Sequence, residues 1–307
     1  MNVINQELSE SWAAYHGDCV DVVSSFPDNS IHFSIFSPPF ESLYTYSNSD
    51  RDMGNSKNSG EFWDHYRFLI KELFRVIKPG RLVSIHCMNL PTSKSHHGYI
   101  GIRDFRGENI RSFEDAGFIY HSEVCIWKDP VIAMQRTKAL GLLHKQVLKD
   151  SCMSRQGIPD YLVTMRKPGE NEERVDGPFE YFCGDMTQFQ PSGKNKSIDI
   201  WQRYASPIWM DINPSRTLQK TSAREEKDER HICPLQLDVI ERAMQLWTNE
   251  GDTVLTPFGG IGSEGYVAVK TGRKAVLVEL KESYFRQLVM NMREADSSTS
   301  VQMKLIG

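Results

Sequence analysis

Residues 31–40, Ile31-His32-Phe33-Ser34-Ile35-Phe36-Ser37-Pro38-Pro39-Phe40, join an apolar run to two successive prolines. The run over 31–36 has the length and composition of a buried strand. Neither proline donates a backbone N–H, so the chain must leave the sheet after Phe36 in a stiff, extended loop. Open α/β sheets bind their ligands at the carboxyl ends of strands. We therefore expect this loop to present the hydroxyl of Ser37, the carbonyl of Pro38 and the ring of Phe40 to a ligand.

A second loop of this kind lies near the other end of the chain, in Gly251-Asp252-Thr253-Val254-Leu255-Thr256-Pro257-Phe258-Gly259-Gly260-Ile261-Gly262-Ser263. The pattern predicts a strand, a glycine-rich turn and a helix, followed by a strand over 274–278 that leads into Glu279. Glycines let the backbone approach a ligand, and an acid after the next strand accepts ribose hydroxyls. The turn lacks the lysine of a P-loop, and F-x-G-x-G favours S-adenosyl-L-methionine over a pyrophosphate-containing dinucleotide.

The residue types at 37–40 suit chemistry at the exocyclic amino group of a nucleobase. The lone pair of that group is delocalised into the ring, and acceptors aimed at its N–H bonds free it while an aromatic ring holds the base flat. Ser37-Pro38-Pro39-Phe40 resembles the catalytic tetrapeptide (S/N/D)-P-P-(Y/F) of the DNA amino-methyltransferases, which methylate adenine N6 or cytosine N4. Residues 256–262 resemble their D-P-F-x-G-x-G cofactor motif, and 231–236 resemble the segment that precedes it.

The resemblance implies roles for individual residues. Thr256 replaces the usual first acid of the cofactor motif, so one polar contact toward the methionine end is expected to be lost or moved. Asp18 has two interpretations, a helix N-cap or a contact to the adenine end of the cofactor. The implied catalytic residues are Ser37, Pro38, Pro39 and Phe40, and the implied cofactor-binding residues are Asp18, Pro234, Pro257, Phe258, Gly259, Gly260, Gly262 and Glu279.

The order of the two loops is informative, because a standard nucleotide fold would carry the glycine loop first. If both loops belong to one sheet, the chain is circularly permuted, which is similar to the beta class of DNA amino-methyltransferases. The resemblance covers residues 12–129 and 231–295 and implies an α/β, Rossmann-like, circularly permuted class I methyltransferase sheet with helices on both faces. We expect a catalytic half over 1–129, an inserted smaller target-recognition domain over 130–230 and a cofactor-binding half over 231–307.

The interval 130–230 differs from the rest of the chain in charge. Residues 131–167 contain seven basic and two acidic side chains, and residues 191–224 contain six and two, although the whole chain has a net charge of −4. Such segregation would serve a surface that binds the phosphates of double-stranded DNA. A solvated insertion with charges on all sides is an equally good interpretation of the charges alone. The predicted DNA-binding residues are Arg136, Lys138, Lys145, Arg155, Lys194 and Arg203, and Tyr44 and Tyr46 are candidates to touch the base or its neighbours.

Composition and the remaining patterns narrow the class of protein. The chain has no run of eighteen apolar residues and no signal peptide at its N-terminus, and its six cysteines are scattered without a C-x-x-C pair, which predicts a reduced, cytoplasmic protein without structural zinc. His86, His96 and His97 lack a third ligand at usable spacing and are interpreted as loop histidines. We also expect a helix over 61–77, a stop at 78–80, a strand over 81–86, a helix over 108–117 and a hairpin over 118–127.

Several functions remain open at this stage. Ser at the first position of the tetrapeptide looks more like the N4-cytosine enzymes, whereas Asp is usual for N6-adenine, so cytosine is favoured. The alternatives are a sequence-specific DNA-binding protein on a catalytically weak core, for which Thr256 is the best argument, and a methyltransferase for RNA or protein amines. A nicotinamide oxidoreductase is disfavoured, because no residues for its proton transfer are apparent. Monomer or homodimer, a cognate restriction endonuclease and a prokaryotic or phage origin fit equally.

Overall fold

The computed structural model describes residues 3–40, 53, 56, 59–131, 144–153, 156–177, 196–218 and 234–306. Its strands are β1 (Asn5–Leu8), β2 (Trp12–His16), β3 (Ile31–Phe36), β4 (Ile77–Met88), β5 (Leu90–Thr92), β6 (Gly101–Arg103), β7 (Ile119–Ile126), β8 (Asp160–Arg166), β9 (Ile208–Trp209), β10 (Thr253–Thr256) and β11 (Lys274–Glu279). Its helices are α1 (Cys19–Val23), α2 (Ser59–Val76), α3 (Lys94–His97), α4 (Phe105–Asp115), α5 (His144–Val147), α6 (Lys196–Tyr204), α7 (Leu237–Trp247), α8 (Ser263–Lys270) and α9 (Glu282–Ile306). No helix in these ranges is both long and apolar enough to cross a membrane.

Nine strands form one mixed sheet in the order β1-β2-β11-β10-β3-β4-β8-β7-β9. The central strands β2, β11, β10, β3 and β4 are parallel. Strand β1 pairs antiparallel with β2, and on the other side β8 runs antiparallel to both β4 and β7. The short β9 pairs parallel with β7. This arrangement confirms the predicted Rossmann-like α/β sheet.

Strand β10 comes late in the chain yet lies between β11 and the early strand β3. Val254 pairs with Phe33 and Leu255 with Ser34. The Ser34 hydroxyl is buried and donates a hydrogen bond to the Leu255 carbonyl at 2.8 Å. The two loops predicted to share a sheet edge therefore follow neighbouring parallel strands, and the permuted order of the chain is confirmed.

Helices cover both faces of the sheet, as predicted. Side chains of α1, α2 and α4 pack with Phe36 on one face, and those of α7, α8 and α9 pack with Phe33 on the other. In α2 the apolar residues recur at helical spacing, and Phe62, Tyr66 and Leu69 are fully buried. Burying one large apolar side chain contributes about 1.5–3 kcal/mol, so these layers fix the strand ends from which the loops emerge.

The predicted stop after α2 is wrong in detail. The helix ends at Val76 and passes directly into β4, so that Lys78, Pro79 and Gly80 lie inside the strand. Gly80 adopts a φ of +73°, which a glycine tolerates without a Cβ penalty. Its N–H donates to the Lys167 carbonyl at 3.0 Å, so the turn is absorbed into the pairing of β4 with β8.

The predicted hairpin over 118–127 is also wrong. Strand β7 is continuous from Ile119 to Ile126, with one irregularity between Tyr120 and Ser122, and its antiparallel neighbour is β8. Strands β8 and β9 both come from the interval 130–230 and belong to the main sheet. That interval is therefore not a separate domain along its whole length, because two of its segments complete the sheet that carries the two loops.

Candidate active site

The carboxyl ends of the five parallel strands meet at one edge of the sheet. Asp18 follows β2, Glu279 ends β11, the turn over 257–262 follows β10, the loop over 37–40 follows β3, and His86 lies near the end of β4. Two backbone hydrogen bonds join the first three, from Gly17 N–H to the Glu279 carbonyl at 3.0 Å and from Gly259 N–H to the Val278 carbonyl at 2.7 Å. The structure thus brings the predicted cofactor and catalytic loops to one edge.

The glycine turn is shaped by close contacts on one side and open space on the other. A Cβ on Gly259 would lie 2.8 Å from Leu288 Cδ1 and 3.1 Å from the Val278 carbonyl oxygen, so only glycine fits there. At Gly260 nothing within 4 Å would meet a Cβ. Gly262 has a φ of +91° at the start of α8. The turn therefore packs tightly on the sheet and leaves its Gly260 side open to a ligand.

Backbone amides hold both acids of the predicted cofactor site. Glu279 accepts from Gly260 N–H through Oε2 at 2.7 Å and from Lys281 N–H through Oε1 at 2.8 Å. Asp18 accepts from Val20 and Asp21 N–H at 2.8 and 3.1 Å and caps α1, which confirms the N-cap interpretation. Each carboxylate oxygen keeps a further lone pair, so the predicted contacts of Glu279 to ribose and of Asp18 to adenine stay predictions.

Two buried hydroxyls flank the glycine turn. Thr256 Oγ1 and Ser263 Oγ are shielded from solvent and have no hydrogen-bond partner among the residues that the structure describes. Buried polar atoms left without partners are rare and need a reason. A ligand with polar atoms in the space beside the turn would satisfy them, so the residues present fit a bound cofactor. Pro234 is half-buried just before α7, and its part in that site remains a prediction.

Ser37 faces a histidine because of the register between β3 and β4. Phe36 pairs with Ile85, so the next residue on each strand is Ser37 or His86. Ser37 Oγ lies 2.6 Å from His86 Nδ1 and 3.2 Å from the His86 carbonyl oxygen. His86 is 8 % exposed. The expectation that His86 is a loop histidine is therefore wrong, because it is a buried partner of the predicted catalytic serine.

An acid and a lysine continue this contact on the far side of the imidazole. His86 Nε2 lies 3.3 Å from Asp160 Oδ2, an ion-pair distance at which its N–H is not aligned for a hydrogen bond. Lys128 Nζ donates to Asp160 Oδ1. Burial raises the pKa of the Asp160 carboxyl, but the charges of Lys128 and His86 outweigh it, so the pKa lies below its ordinary value. Asp160 is thus a buried carboxylate.

Phe40 lies at the mouth of an aromatic cluster. Its ring is half-buried and stands edge-on to Phe105, with centroids 5.7 Å apart. Phe105 in turn contacts Phe62 and Trp63. Pro38 is buried and Pro39 is half-buried, so the loop rests on this cluster. The part of the Phe40 ring that stays accessible is the kind of surface on which a flat base stacks.

The predicted DNA-binding residues are mostly beyond the structure. Arg136, Lys138, Arg155 and Lys194, together with Tyr44 and Tyr46, lie outside the described residues. Lys145 is exposed on α5, and Arg203 on α6 lies 3.8 Å from Asp211.

The positive charge of 130–230 is used partly within the fold. Lys167 Nζ donates to Asn29 Oδ1 and to the carbonyls of Arg75 and Ile77, at the edge opposite the site. Arg216 pairs with Asp238 and Glu241 on α7. The charge count of the sequence therefore overstates the basic surface that this interval offers to a nucleic acid.

A second group of titratable residues lies at the opposite edge of the sheet. His32, Glu173 and Asp252 have side-chain atoms within 4.8 Å of one another. His32 Nδ1 accepts from Thr253 N–H at 3.0 Å, which places its proton on Nε2, 2.9 Å from Glu173. Arg81 pairs with Asp252 and Lys78 with Glu173. These donors are already engaged with one another, so the group is an ion-pair network that ties the 170–176 segment to the sheet.

Comparisons with known proteins agree with this geometry. The profile of the family N6_N4_Mtase, described as DNA methylase, matches residues 31–290. The type II methyltransferase M.BamHI of Bacillus amyloliquefaciens is 27 % identical over 267 residues, which are 87 % of this chain and 54 % of that protein, so the chain spans about half of its length.

Two solved structures share the fold. The PvuII DNA methyltransferase, cytosine-N4-specific, has a TM-score of 0.64 and 16 % identity over 94 % of this chain and 90 % of its own. TTHA0409 from Thermus thermophilus, a DNA modification methylase solved with S-adenosyl-L-methionine, has a TM-score of 0.62 and 20 % identity over 92 % of this chain and 94 % of its own. The family match and the permuted sheet show that this chain belongs to the N6_N4_Mtase family of DNA methylases, in the arrangement of the beta class.

Proposed function

We propose that this chain transfers a methyl group from S-adenosyl-L-methionine to the exocyclic amino group of a base in double-stranded DNA. The observation that carries the proposal is the adjacency of the two loops. Ser37 and Phe40 follow β3, the glycine turn follows the neighbouring strand β10, and the rings of Phe36 and Phe258 lie 5.7 Å apart between them. A base held by the first loop and a cofactor held by the second would meet at one sheet edge.

The cofactor-binding residues are those around the glycine turn. We assign Pro257, Phe258, Gly259, Gly260 and Gly262 to the floor of the site, Glu279 to the ribose hydroxyls, Asp18 to the adenine end and Pro234 to the wall. The open side of Gly260 and the unpartnered hydroxyls of Thr256 and Ser263 support this assignment. When bound there, the cofactor supplies an electrophilic methyl group.

The base-binding residues are those of the proline loop. A base in a duplex cannot reach this edge unless it is flipped out, which costs a few kcal/mol. Stacking on Phe40 recovers about 1–3 kcal/mol. Ser37 Oγ and the Pro38 carbonyl then accept from the two amino N–H groups and turn the nitrogen lone pair away from the ring. Pro39 keeps the loop extended and so fixes both acceptors.

We propose cytosine N4 as the acceptor in preference to adenine N6. Ser37 presents a hydroxyl where N6-adenine enzymes usually present a carboxylate, and its partner on the protein side is an imidazole. The segment between the halves supplies the DNA contacts, with Arg136, Lys138, Lys145, Arg155, Lys194 and Arg203 on the phosphates and major-groove edges. The protein would act in a prokaryotic or phage-infected cytoplasm as a monomer or homodimer, with or without a cognate endonuclease.

The test is transfer of tritiated methyl groups from S-adenosyl-L-methionine to mixed-sequence duplex DNA, followed by digestion to nucleosides and chromatography. We expect label in N4-methylcytosine, and label in N6-methyladenine would overturn the base assignment alone. Ser37→Ala should remove transfer while calorimetry still detects cofactor binding. DNA binding without transfer would identify a DNA-binding protein on a methyltransferase fold. Label in RNA or protein but not in DNA would identify a different amine methyltransferase.

A further inference from the structure

The side chain that contacts Ser37 is not one that the catalytic tetrapeptide contains. His86 reaches the Ser37 hydroxyl from β4 with its Nδ1 at 2.6 Å. Its other nitrogen points toward Asp160 on β8, at 3.3 Å from Oδ2. Serine, imidazole and carboxylate thus form a continuous row across three neighbouring strands β3, β4 and β8.

The charge at the end of the row selects the tautomer of the imidazole. Asp160 is 4 % exposed, and its carboxylate is ionised and paired with Lys128. A bare Nε2 lone pair beside this carboxylate would be repelled, whereas an Nε2–H is attracted to it. The neutral imidazole therefore carries its proton on Nε2 and leaves Nδ1 bare. A bare Nδ1 accepts the Ser37 hydroxyl proton, and it is short of one proton that it can take up.

We infer that His86 is a positioning residue that acts through Ser37 as the acceptor of the proton released when the amino group is methylated. The inference rests on the proposed function and deepens it. Ser37 touches the base, His86 orients the Ser37 hydroxyl and takes its proton, and Asp160 holds His86 in the required tautomer and stabilises the imidazolium that forms.

The proton and bond changes balance. The amino nitrogen gains one bond to the methyl carbon, whose bond to the donor sulfur breaks with both electrons going to sulfur. The nitrogen then loses one N–H bond, and that proton passes to Ser37 Oγ while the Ser37 hydroxyl proton passes to His86 Nδ1. The base ends neutral, and His86 returns its proton to solvent after product release. The chain needs no further co-reactant for this step.

A purely structural role for the contact makes different predictions. In that case the hydrogen bond would only anchor the proline loop to β4, as the Ser84 and Thr164 hydroxyls, 2.9 Å apart, join β4 to β8. Asparagine at position 86 would still accept or donate a hydrogen bond and would preserve the anchor. It cannot take up a proton, so His86→Asn separates the two roles. Thr164→Val is the matched control, because it breaks a buried polar contact on the same strand pair away from the site.

The experiment combines spectroscopy with single-turnover kinetics. In protein labelled with ¹⁵N-histidine, the His86 imidazole is assigned as the signal missing from His86→Asn. At the pH of optimal transfer and without any ligand, we expect a neutral ring protonated at Nε2. We expect His86→Asn and His86→Leu each to slow single-turnover methyl transfer by about 10²–10⁴-fold, with cofactor affinity by calorimetry unchanged. Thr164→Val should lower the melting temperature and leave the transfer rate unchanged.

Two results would overturn the inference. A proton on Nδ1 of His86, in either the neutral or the charged ring, would exclude proton uptake there. A transfer rate in His86→Asn equal to that of the wild type would reduce the contact to an anchor. Both are distinct from failure of the proposed function, which would appear as a wild-type protein that transfers no methyl group to duplex DNA.

Discussion

The rings of Phe36 and Phe258 pack at 5.7 Å between centroids and 55° between planes. Phe36 ends β3 just before the proline loop, and Phe258 opens the glycine turn after β10. Phe258 also contacts Tyr66 of α2, at 6.4 Å between centroids. Aromatic pairs of this geometry add about 0.5–1.5 kcal/mol beyond the area that they bury. The pair therefore fixes the separation of the two loops on which the proposed chemistry depends.

Phe40→Ala should weaken methyl transfer through loss of base stacking. A stacking contribution of about 1–3 kcal/mol corresponds to a 5- to 150-fold loss in kcat/KM on duplex DNA. Phe40→Tyr keeps the ring and should keep most of the activity. Phe68→Ala is the control, because Phe68 is an exposed aromatic on α2. Equal rates for Phe40→Ala and the wild type would exclude a stacking role for this ring.

Gly259→Ala should abolish cofactor binding and destabilise the fold. Its Cβ would clash with Leu288 Cδ1 at 2.8 Å and with the Val278 carbonyl oxygen at 3.1 Å, and the backbone cannot retreat because Gly259 N–H is bonded to that carbonyl. We expect a loss of about 1–3 kcal/mol in the free energy of unfolding and no binding by calorimetry. Gly157→Ala is the control, because a Cβ there meets nothing within 4 Å. Normal cofactor affinity in Gly259→Ala would contradict the assignment of the turn.

Glu264 should make stability fall with rising pH. Burial raises the pKa of this α8 carboxyl to about 8, against a backbone hydrogen bond that lowers it. The folded state thus binds a proton that the unfolded chain releases near pH 4.5, so the contribution is complete below that pH and is lost as the pH rises to about 8. Each pH unit in this window costs about 1.4 kcal/mol.

Glu264→Gln should therefore flatten the profile and exceed the wild type in stability by up to about 5 kcal/mol at pH 8.5. Urea unfolding at pH 5, 7 and 8.5 measures the slope. Glu114→Gln, at an exposed position of α4, should leave it unchanged. The same slope in Glu264→Gln and the wild type would show that this carboxyl does not titrate in the window.

Arg81→Leu should be strongly destabilising without a direct effect on the site. Arg81 is 2 % exposed, pairs with the buried Asp252 and donates to the His32 carbonyl at 3.0 Å. Removing one partner of a buried pair leaves an uncompensated charge and costs about 3–5 kcal/mol in the free energy of unfolding. Arg111→Ala, at an exposed pair with Glu108, should cost about 0–1 kcal/mol. Chemical denaturation compares the two, and similar losses would mean that the buried network is not coupled to the fold.

The main sheet and its loops could be predicted because their signals are local. Two prolines after 31–36 and a glycine turn after 253–256 each mark a strand end, and their order implies the permutation. The contact of Ser37 with His86 could not be predicted, since it depends on the register in which Phe36 pairs with Ile85. No spacing in the sequence encodes a register between strands that are joined through an eighteen-residue helix.

Strand β8 was missed because charge dominated the interpretation of its region. Its apolar run over 161–165 lies among basic residues, so the interval was treated as one insertion. A signal was present in the repeated tripeptide Lys-Pro-Gly, at 78–80 and at 167–169. The two copies lie together, and a Cβ on Gly169 would approach Pro79 Cβ to 2.7 Å. Matching turns of this kind identify β8 as a neighbour of β4, and Asp160 would have followed from that pairing.

The buried hydrogen bond from Ser34 to the Leu255 carbonyl has a consequence for synthesis on the ribosome. Strand β3 emerges early, but its neighbour β10 is made only after the long middle of the chain, so one side of β3 waits unpaired throughout translation. Such long-range pairing is slow and exposes sheet edges to wrong partners. A nascent chain that carries the proline loop therefore has no assembled sheet edge behind it, and both loops come into register only once most of the polypeptide has been made.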